Sequence, residues 1–401
     1  MSPAGAAAAP AAGKYKRPAL LTAAGCRGRR DRLWSALPTS PDVILLTAPR
    51  HLTYFTGYYP SPFLFSSQNA GAALILGADG SSVLIADNLL RAFADKAHVD
   101  RGVSPAWYNG RSSAPPREGL LAQAVSDVLA EFGGSVVGVD ATAQATVIEQ
   151  FRGAHSGVDL AAVGPVIHRL MRSKDPDELA VMRRSMEVGA AGFDAALRGT
   201  EPGMTEMQAY ELVCTACMEA AGEPVIVYGD FASGPRTEQG GGGPTDRVIR
   251  DNELFILDCS AVIEGYRGDF ANTFVVGGGR AATRQKEMAA ACMDAMAAGE
   301  AALRPGALGR DIHEAVHGVF RQRGMDSLFT HHSGHGLGLG HPDPPYLVPD
   351  SEDVLLVGDV VTLEPGLYES GTGGMRFERN YLITDVGAEV LSHHHLGLER
   401  P

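Results

Sequence analysis

The chain has 401 residues, 45% of them hydrophobic, and a formal net charge of -13. That is apolar material for a large core and length for two domains, while the acidic balance excludes a nucleic-acid or anionic-membrane partner, since either needs a basic face. No run approaches the roughly 18 apolar residues of a membrane span, and five scattered cysteines fit a reducing, cytoplasmic location without a disulfide framework.

Residues 1–28, opening MSPAGAAAAPAAGKYKRP, are rich in Ala and Pro, carry no periodic pattern, and read as a disordered tail rather than a signal peptide. From residue 29 to residue 163, short apolar strands (VILLT at 43–47, AALIL at 72–76, SVLIA at 82–86, VVGVD at 136–140) alternate with helical stretches such as EGLLAQAVSDVLAEF. This is an α/β pattern. HLTYFTGYYPSPFLF, from His51 to Phe65, reads as an aromatic loop that either packs locally or overhangs a site on the other domain.

A second unit, 164–401, opens with SKDPDELAVMRRSMEV. Asp175 suits an N-cap, Pro176 the first helical position, and Glu178 completes a capping box. Beyond it the chain repeats weakly. Pro202-Gly203 and Pro305-Gly306 each precede an amphipathic helix. Each is followed, at a similar distance, by an acid in an apolar run (Asp258, Glu364) and then by a second acid (Asp269, Glu378). The pattern predicts two helix-plus-hairpin halves that face each other. Cys214 and Cys217 form a CxxC, but on a helical pattern with no second pair, so they read as packing residues.

The acids carry the chemistry. Asp258 lies in LFILD, Asp269 in GDFANTF, His335 in SGHGLGLG, Glu364 in VTLEPG and Glu378 in MRFERN; Glu378 is expected within an alternating strand. Gly265 and Gly268, between the two aspartates, suit a hairpin that returns the second beside the first. Burying four carboxylates is costly unless cations neutralise them. Four oxygen donors and one imidazole suit divalent ions such as Mn, Fe, Co or Zn better than a thiolate zinc site would.

With these motifs the chain resembles the pita-bread-fold metallopeptidases: methionine aminopeptidase, aminopeptidase P, prolidase and the metal-free creatinase. The resemblance covers nearly everything after the tail and, because YFTGY is similar to the creatinase-type N-terminal domain, points to the Xaa-Pro branch. It implies an α/β creatinase-like domain before an α+β pita-bread catalytic domain with pseudo-twofold halves. It also implies two divalent ions, Mn foremost, with Asp258 on one, Asp269 and Glu378 bridging, and His335 and Glu364 completing the second. The ions would activate a shared water against the bond before proline. Glu364 is the implied proton carrier, His331 and His341 the implied substrate-contacting histidines, and Arg376 a family arginine on the strand face of Glu378. A homodimer or larger homo-oligomer and a small peptide substrate are the implied partners.

Two departures stand out. The family places a histidine ahead of the first aspartate, where SGPRTEQGGGGPTDR has glycine near Gly241, so a substrate-contacting group is missing and volume is freed for a bulkier group or a flap. The family Thr-Arg pair is Ala271-Asn272. A hydrolase or lyase of a non-peptide metabolite on the same scaffold is therefore a second reading. The sulfonium-lyase variant is disfavoured because Ser260 stands where that type carries an Asp. A non-catalytic binding module is the third reading, against which the full ligand set counts.

Overall fold

The structure is a computed structural model that describes residues 20–63, 71–140, 145–154 and 157–400. Most of the expected tail lies outside the described residues. Its last part does not behave as a tail: helix α1 (Ala23–Ala36) is capped by Thr22, whose side chain accepts from the Gly25 N–H, and Cys26 is buried in a core shared with the second unit. Four arginines and two glycines masked the helix, because its apolar side is too narrow to show a 3.6-residue period.

The first unit continues with β1 (Val43–Leu46), α2 (Pro49–Thr56), β2 (Ala72–Gly77), β3 (Ser82–Ala86), α3 (Arg91–Ala94), β4 (Arg101–Val103), α4 (Arg117–Phe132), β5 (Val136–Val139), α5 (Ala145–Ala154), β6 (Asp159–Ala162) and α6 (Gly164–Leu170). Its six strands form one mixed sheet in the order β4-β3-β2-β1-β5-β6. Both faces are covered: Ile44, Leu46, Leu74 and Leu84 pack with α2 and α6, while Val43, Leu45, Ile75 and Ile85 pack with α4 and α5. Burial on both sides explains why these strands read as continuous apolar runs. The edge strands β4 and β6 are largely exposed and carry no such run. The segment expected as a loop from His51 is helical as far as Thr56. Pro49 starts that helix, Gly57 ends it in the left-handed conformation, and Leu52, Tyr54, Phe55 and Tyr58 are core residues. Leu64 and Phe65 lie outside the described residues.

The second unit is built twice over. Its first half is α7 (Pro176–Gly199), α8 (Glu206–Ala221), β7 (Ile226–Ser233), β8 (Leu254–Ile263), β9 (Tyr266–Arg267) and β10 (Phe270–Val275). The other half is α9 (Thr283–Ala302), α10 (Gly309–Gln322), β11 (Gly334–Gly336), β12 (Asp343–Leu347), β13 (Val360–Leu363), β14 (Gly366–Glu369), β15 (Gly373–Arg376), β16 (Arg379–Thr384) and β17 (Gly387–Val390). The sheets run β10-β8-β7 and β12-β11-β13-β16-β17, and β14-β15 form a separate ribbon. Each half packs its helix pair on its own core. The Pro-Gly turns are equivalent in detail: the Gly203 N–H donates to the Ile249 carbonyl at 2.9 Å and the Gly306 N–H to the Leu355 carbonyl at 2.8 Å. Cys214 and Cys217 lie on α8, and all five cysteines are unpaired.

The two units meet at the start of α7. There the Asp175 N–H donates to Glu178 at 2.9 Å, and buried Arg29 donates to Asp175 (3.0 Å), Asp177 (2.8 Å) and the Tyr54 carbonyl (2.6 Å). Among the described residues, no helix is long and apolar enough to cross a membrane.

Candidate metal centre

The acids come together because two hairpins meet. In the first, β8 turns at Glu264-Gly265, both at positive φ, and returns through β9 and β10 with Ala271 opposite Asp258. Asp269 therefore lies diagonally across from Asp258 on the same face, its Oδ1 accepting from Ser260 Oγ at 3.0 Å. Cys259 faces the other way, into the core, as strand alternation requires.

The second hairpin pairs β13 with β16 and then β14 with β15. Glu364 and Glu378 stand where it changes from one pairing to the other. Glu378 is thus between strands rather than within one. At this break a backbone can turn a carboxylate inward without displacing a core residue. Three contacts spaced by two residues zip the hairpins together. The Asp269 N–H donates to Asn380 Oδ1 (3.1 Å), the Glu378 N–H to the Ala271 carbonyl (3.0 Å), and the Arg376 N–H to Thr273 Oγ1 (3.0 Å).

Donor atoms of Asp258, Asp269 and Glu378 lie within 4.8 Å of one another, as do those of His335, Glu364 and Glu378. The five ligand candidates thus form one continuous group. His335 donates from Nδ1 to the Gly336 carbonyl at 2.9 Å, which leaves Nε2 facing Glu364 (3.5 Å) and Asp269 (3.7 Å). That is the tautomer a metal-binding imidazole needs. Thr362 Oγ1 accepts from the His335 N–H and donates to Glu364 Oε1, at 3.1 and 3.0 Å.

Electrostatics set these acids apart from ordinary buried ion pairs. Burial pushes Asp258 up to about 7, with Arg376 opposing and Asp269 adding to the rise. Burial lifts Glu378 well above the usual carboxylate range, Asp269, Glu364 and Asp258 reinforcing it, and its buried Oε1 has no hydrogen-bond partner. A buried carboxylate oxygen left unpaired among three other acids is costly, and it is the oxygen a cation would neutralise. At Glu364 burial is outweighed by the His332 hydrogen bond and the imidazoles of His332, His335 and His331, so its carboxyl stays below the usual range. Asp269 is likewise held down, burial being overcome by His341. The donor set fits divalent cations.

The remaining candidates line the same cavity, of about 580 Å³. His331 donates from Nδ1 to the His332 carbonyl (2.8 Å) and receives the Tyr368 hydroxyl at Nε2 (3.0 Å); burial lowers it to about 4, so the ring is neutral. His341 reaches Asp269 Oδ2 at 2.5 Å and Tyr228 at 3.1 Å. Arg376 donates to Asp258 (2.7 Å), the Gly240 carbonyl (2.8 Å), Tyr368 (2.9 Å) and Asp230 (2.6 Å). Asn272, in the altered pair, turns from the site and bonds Gly397.

Among the cavity residues that sequence reasoning missed are Tyr228, Asp230, His332 and Tyr368. His332 binds Glu364 Oε1 at 3.0 Å, and its only signal was the His-His pair. Asp230 was an acid in the otherwise apolar VIVYGDFAS. The volume beside Gly241 is not open, since a Cβ there would lie 2.2 Å from Asp230 Oδ2.

Residues 180–385 match the model of the metallopeptidase family M24, and residues 39–172 match the creatinase/prolidase N-terminal domain. The chain belongs to the metallopeptidase family M24. It is 30% identical over 229 residues to an uncharacterized peptidase, YqhT, of Bacillus subtilis (strain 168), a match covering 56% of this chain and 63% of that protein. An uncharacterized peptidase of Staphylococcus aureus (strain USA300) is 26% identical over 231 residues, covering 56% of this chain and 64% of the relative. The chain thus spans less than two thirds of these curated relatives. Among solved structures, the Xaa-Pro dipeptidase from Bacillus anthracis superposes with a TM-score of 0.79 at 22% identity, over 94% of this chain and 99% of that one. The X-Pro aminopeptidase from Thermotoga maritima MSB8 gives 0.77 at 20%, over 92% and 99%. These likenesses establish the shared two-domain, pita-bread fold.

Proposed function

We propose that the protein is a dinuclear metal-dependent hydrolase that cleaves a peptide before proline, as an aminopeptidase or dipeptidase. The carrying observation is the continuous group of Asp258, Asp269, His335, Glu364 and Glu378 with an unpartnered buried oxygen on Glu378. In this reading Asp258 would hold one ion, His335 and Glu364 the other, and Asp269 and Glu378 would serve both, with Mn foremost ahead of Co, Zn or Fe. When bound, two such ions would supply an activated water and a polarised scissile carbonyl.

The chain's own groups do the rest. Glu364, hydrogen-bonded to His332 and Thr362, is placed to carry a proton to the leaving amine. Neutral His331 is oriented by Tyr368 and the His332 carbonyl and can turn its ring edge to the substrate. His341 is held by Tyr228 and Asp269. Arg376 orients Asp258. A cytoplasmic location and homo-oligomeric assembly belong to the same proposal, the first supported by the free cysteines.

A second reading, hydrolysis of a small non-peptide amide, is favoured by one feature: the glycine at 241 and the acid beside it. A screen of Mn-, Co- and Zn-loaded protein against Xaa-Pro dipeptides, longer Xaa-Pro peptides and small amides decides. Metal-dependent release of the first residue from Xaa-Pro peptides supports the first reading; turnover of amides alone supports the second.

A further inference from the structure

Asp230 is an acid that the metal reading does not use. It sits in β7 directly opposite Asp258, lines the cavity, and belongs to none of the ligand groups found among the described residues. Its Oδ1 accepts from the Gly242 N–H at 3.0 Å and its Oδ2 from Arg376 at 2.6 Å. The side chain is nevertheless 32% exposed, against 8% for Arg376, so this ion pair presents its anionic end to the cavity.

The glycine run is what admits that carboxylate. Gly240, Gly241 and Gly242 have φ of 90°, 141° and 135°, a region side chains avoid, and a Cβ on Gly241 would lie 2.2 Å from Asp230 Oδ2. The backbone folds onto the acid because it has no side chains there. Arg376 is the one Lys or Arg lining the cavity among the described residues, and it spends its donors on Asp258, Gly240, Tyr368 and Asp230. A cavity with a partly exposed carboxylate and no free Lys or Arg attracts cations.

We propose that Asp230 is a specificity residue that selects substrates carrying an ammonium or guanidinium group in the side chain of the residue to be released. This rests on the peptidase reading, which supplies the substrate class. The cationic group is the basic side chain of that residue, and matched pairs separate it from the free α-amine that every such peptide carries. Arg-Pro against citrulline-Pro, and Lys-Pro against norleucine-Pro, change side-chain charge at nearly constant shape. Leu-Pro against its 2-hydroxy analogue changes the α-amine alone.

Each pair is assayed with Mn-loaded wild type and Asp230→Asn, a variant that keeps the hydrogen-bonding shape and removes the charge. We expect the wild type to prefer the cationic member of each side-chain pair, chiefly through KM. Asp230→Asn should lower kcat/KM for that member by roughly ten- to hundredfold more than for its neutral partner, the range for losing a charged hydrogen-bond partner. Equal losses for both members of the side-chain pairs, a differential loss confined to the α-amine pair, or no wild-type preference within the side-chain pairs overturns the proposal. Calorimetric titration with arginine and with citrulline gives a readout independent of turnover. If no Xaa-Pro peptide is cleaved, the peptidase reading fails; tighter arginine binding that Asp230→Asn abolishes still upholds the charge selection, and equal binding of the two rejects it.

Discussion

Replacing Arg376 by methionine tests whether this arginine, and not only a metal, holds the site together. Methionine keeps most of the side-chain volume but strands Asp258, the Gly240 carbonyl and the Tyr368 hydroxyl, each of which accepts from the guanidinium. Removing one partner of a buried ion pair costs about 3–5 kcal/mol. Asp258 is 15% exposed and takes nearly all of that loss, whereas Asp230, about a third exposed, adds little because solvent screens it. We therefore expect Arg376→Met to destabilise the metal-free protein by about 3 kcal/mol, near the lower bound. Because burial already pushes Asp258 up to about 7, protonation offers it an escape, and the deficit should be larger at pH 8 than at pH 6. On the proposed metal reading, saturating Mn²⁺ would neutralise Asp258 by another route, so the deficit should shrink to about 1 kcal/mol, the worth of the remaining hydrogen bonds. Urea unfolding of wild type and variant, with chelator and with Mn²⁺, at both pH values, measures all four differences. A loss that is the same with and without metal, or one below about 1 kcal/mol in chelator, refutes the reasoning.

Glu378→Ala should drop bound metal below two ions per chain and cut turnover by orders of magnitude, since that carboxylate belongs to both candidate ligand groups; plasma emission spectrometry alongside a peptidase assay checks it. Glu364→Gln should lose more turnover than metal if that residue carries a proton, and equal losses would restrict it to ligation. Gly241→Ala should destabilise by about 2–3 kcal/mol, from a φ of +141° and a Cβ 2.2 Å from Asp230 Oδ2, and combining it with Asp230→Ala should recover part of that loss in a thermal melt. Metal-free protein should lose stability as pH rises from about 6.5 to 8. Asp258 and Glu378, both raised, keep protons in the folded chain that the unfolded chain has released. His332 and His341 are also raised, burial being outweighed by their hydrogen bonds to Glu364 and Asp269, and their stabilisation is likewise lost as pH passes their folded values. His331, lowered to about 4 by burial, works in the opposite sense but is finished by about pH 6.5. Melts in chelator check the slope, which saturating Mn²⁺ should abolish.

What was legible in the sequence follows from what each residue had to compete with. Asp258 could be read because a carboxylate inside LFILD contradicts its own surroundings, and a contradiction between local pattern and residue type marks a functional site. The repeated Pro-Gly turns announced two halves, and in the structure Gly203 and Gly306 close matching hydrogen bonds. Glu378 was expected within a continuous strand, because alternation in MRFERN cannot reveal that β15 and β16 pair with different partners on either side of it. α1 was hidden by its arginines. One of them, Arg29, is buried only because the α7 acids, about 150 residues away, neutralise it, and no local window contains that information.

Asp230 and the glycine run show the limit most clearly. Read alone, Gly241 marks a missing side chain and an enlarged pocket. The strand pairing that sets Asp230 opposite Asp258 fills that space with a carboxylate instead. The same four glycines thus mean opposite things, depending on a residue eleven positions earlier whose orientation only the β7–β8 register decides. A one-residue slip of that register would turn Asp230 toward the helices, where Phe231 now packs against Tyr210 and Phe255. Burial of those rings therefore fixes the acid in the cavity, and core packing on one face of β7 determines which charge a substrate meets on the other.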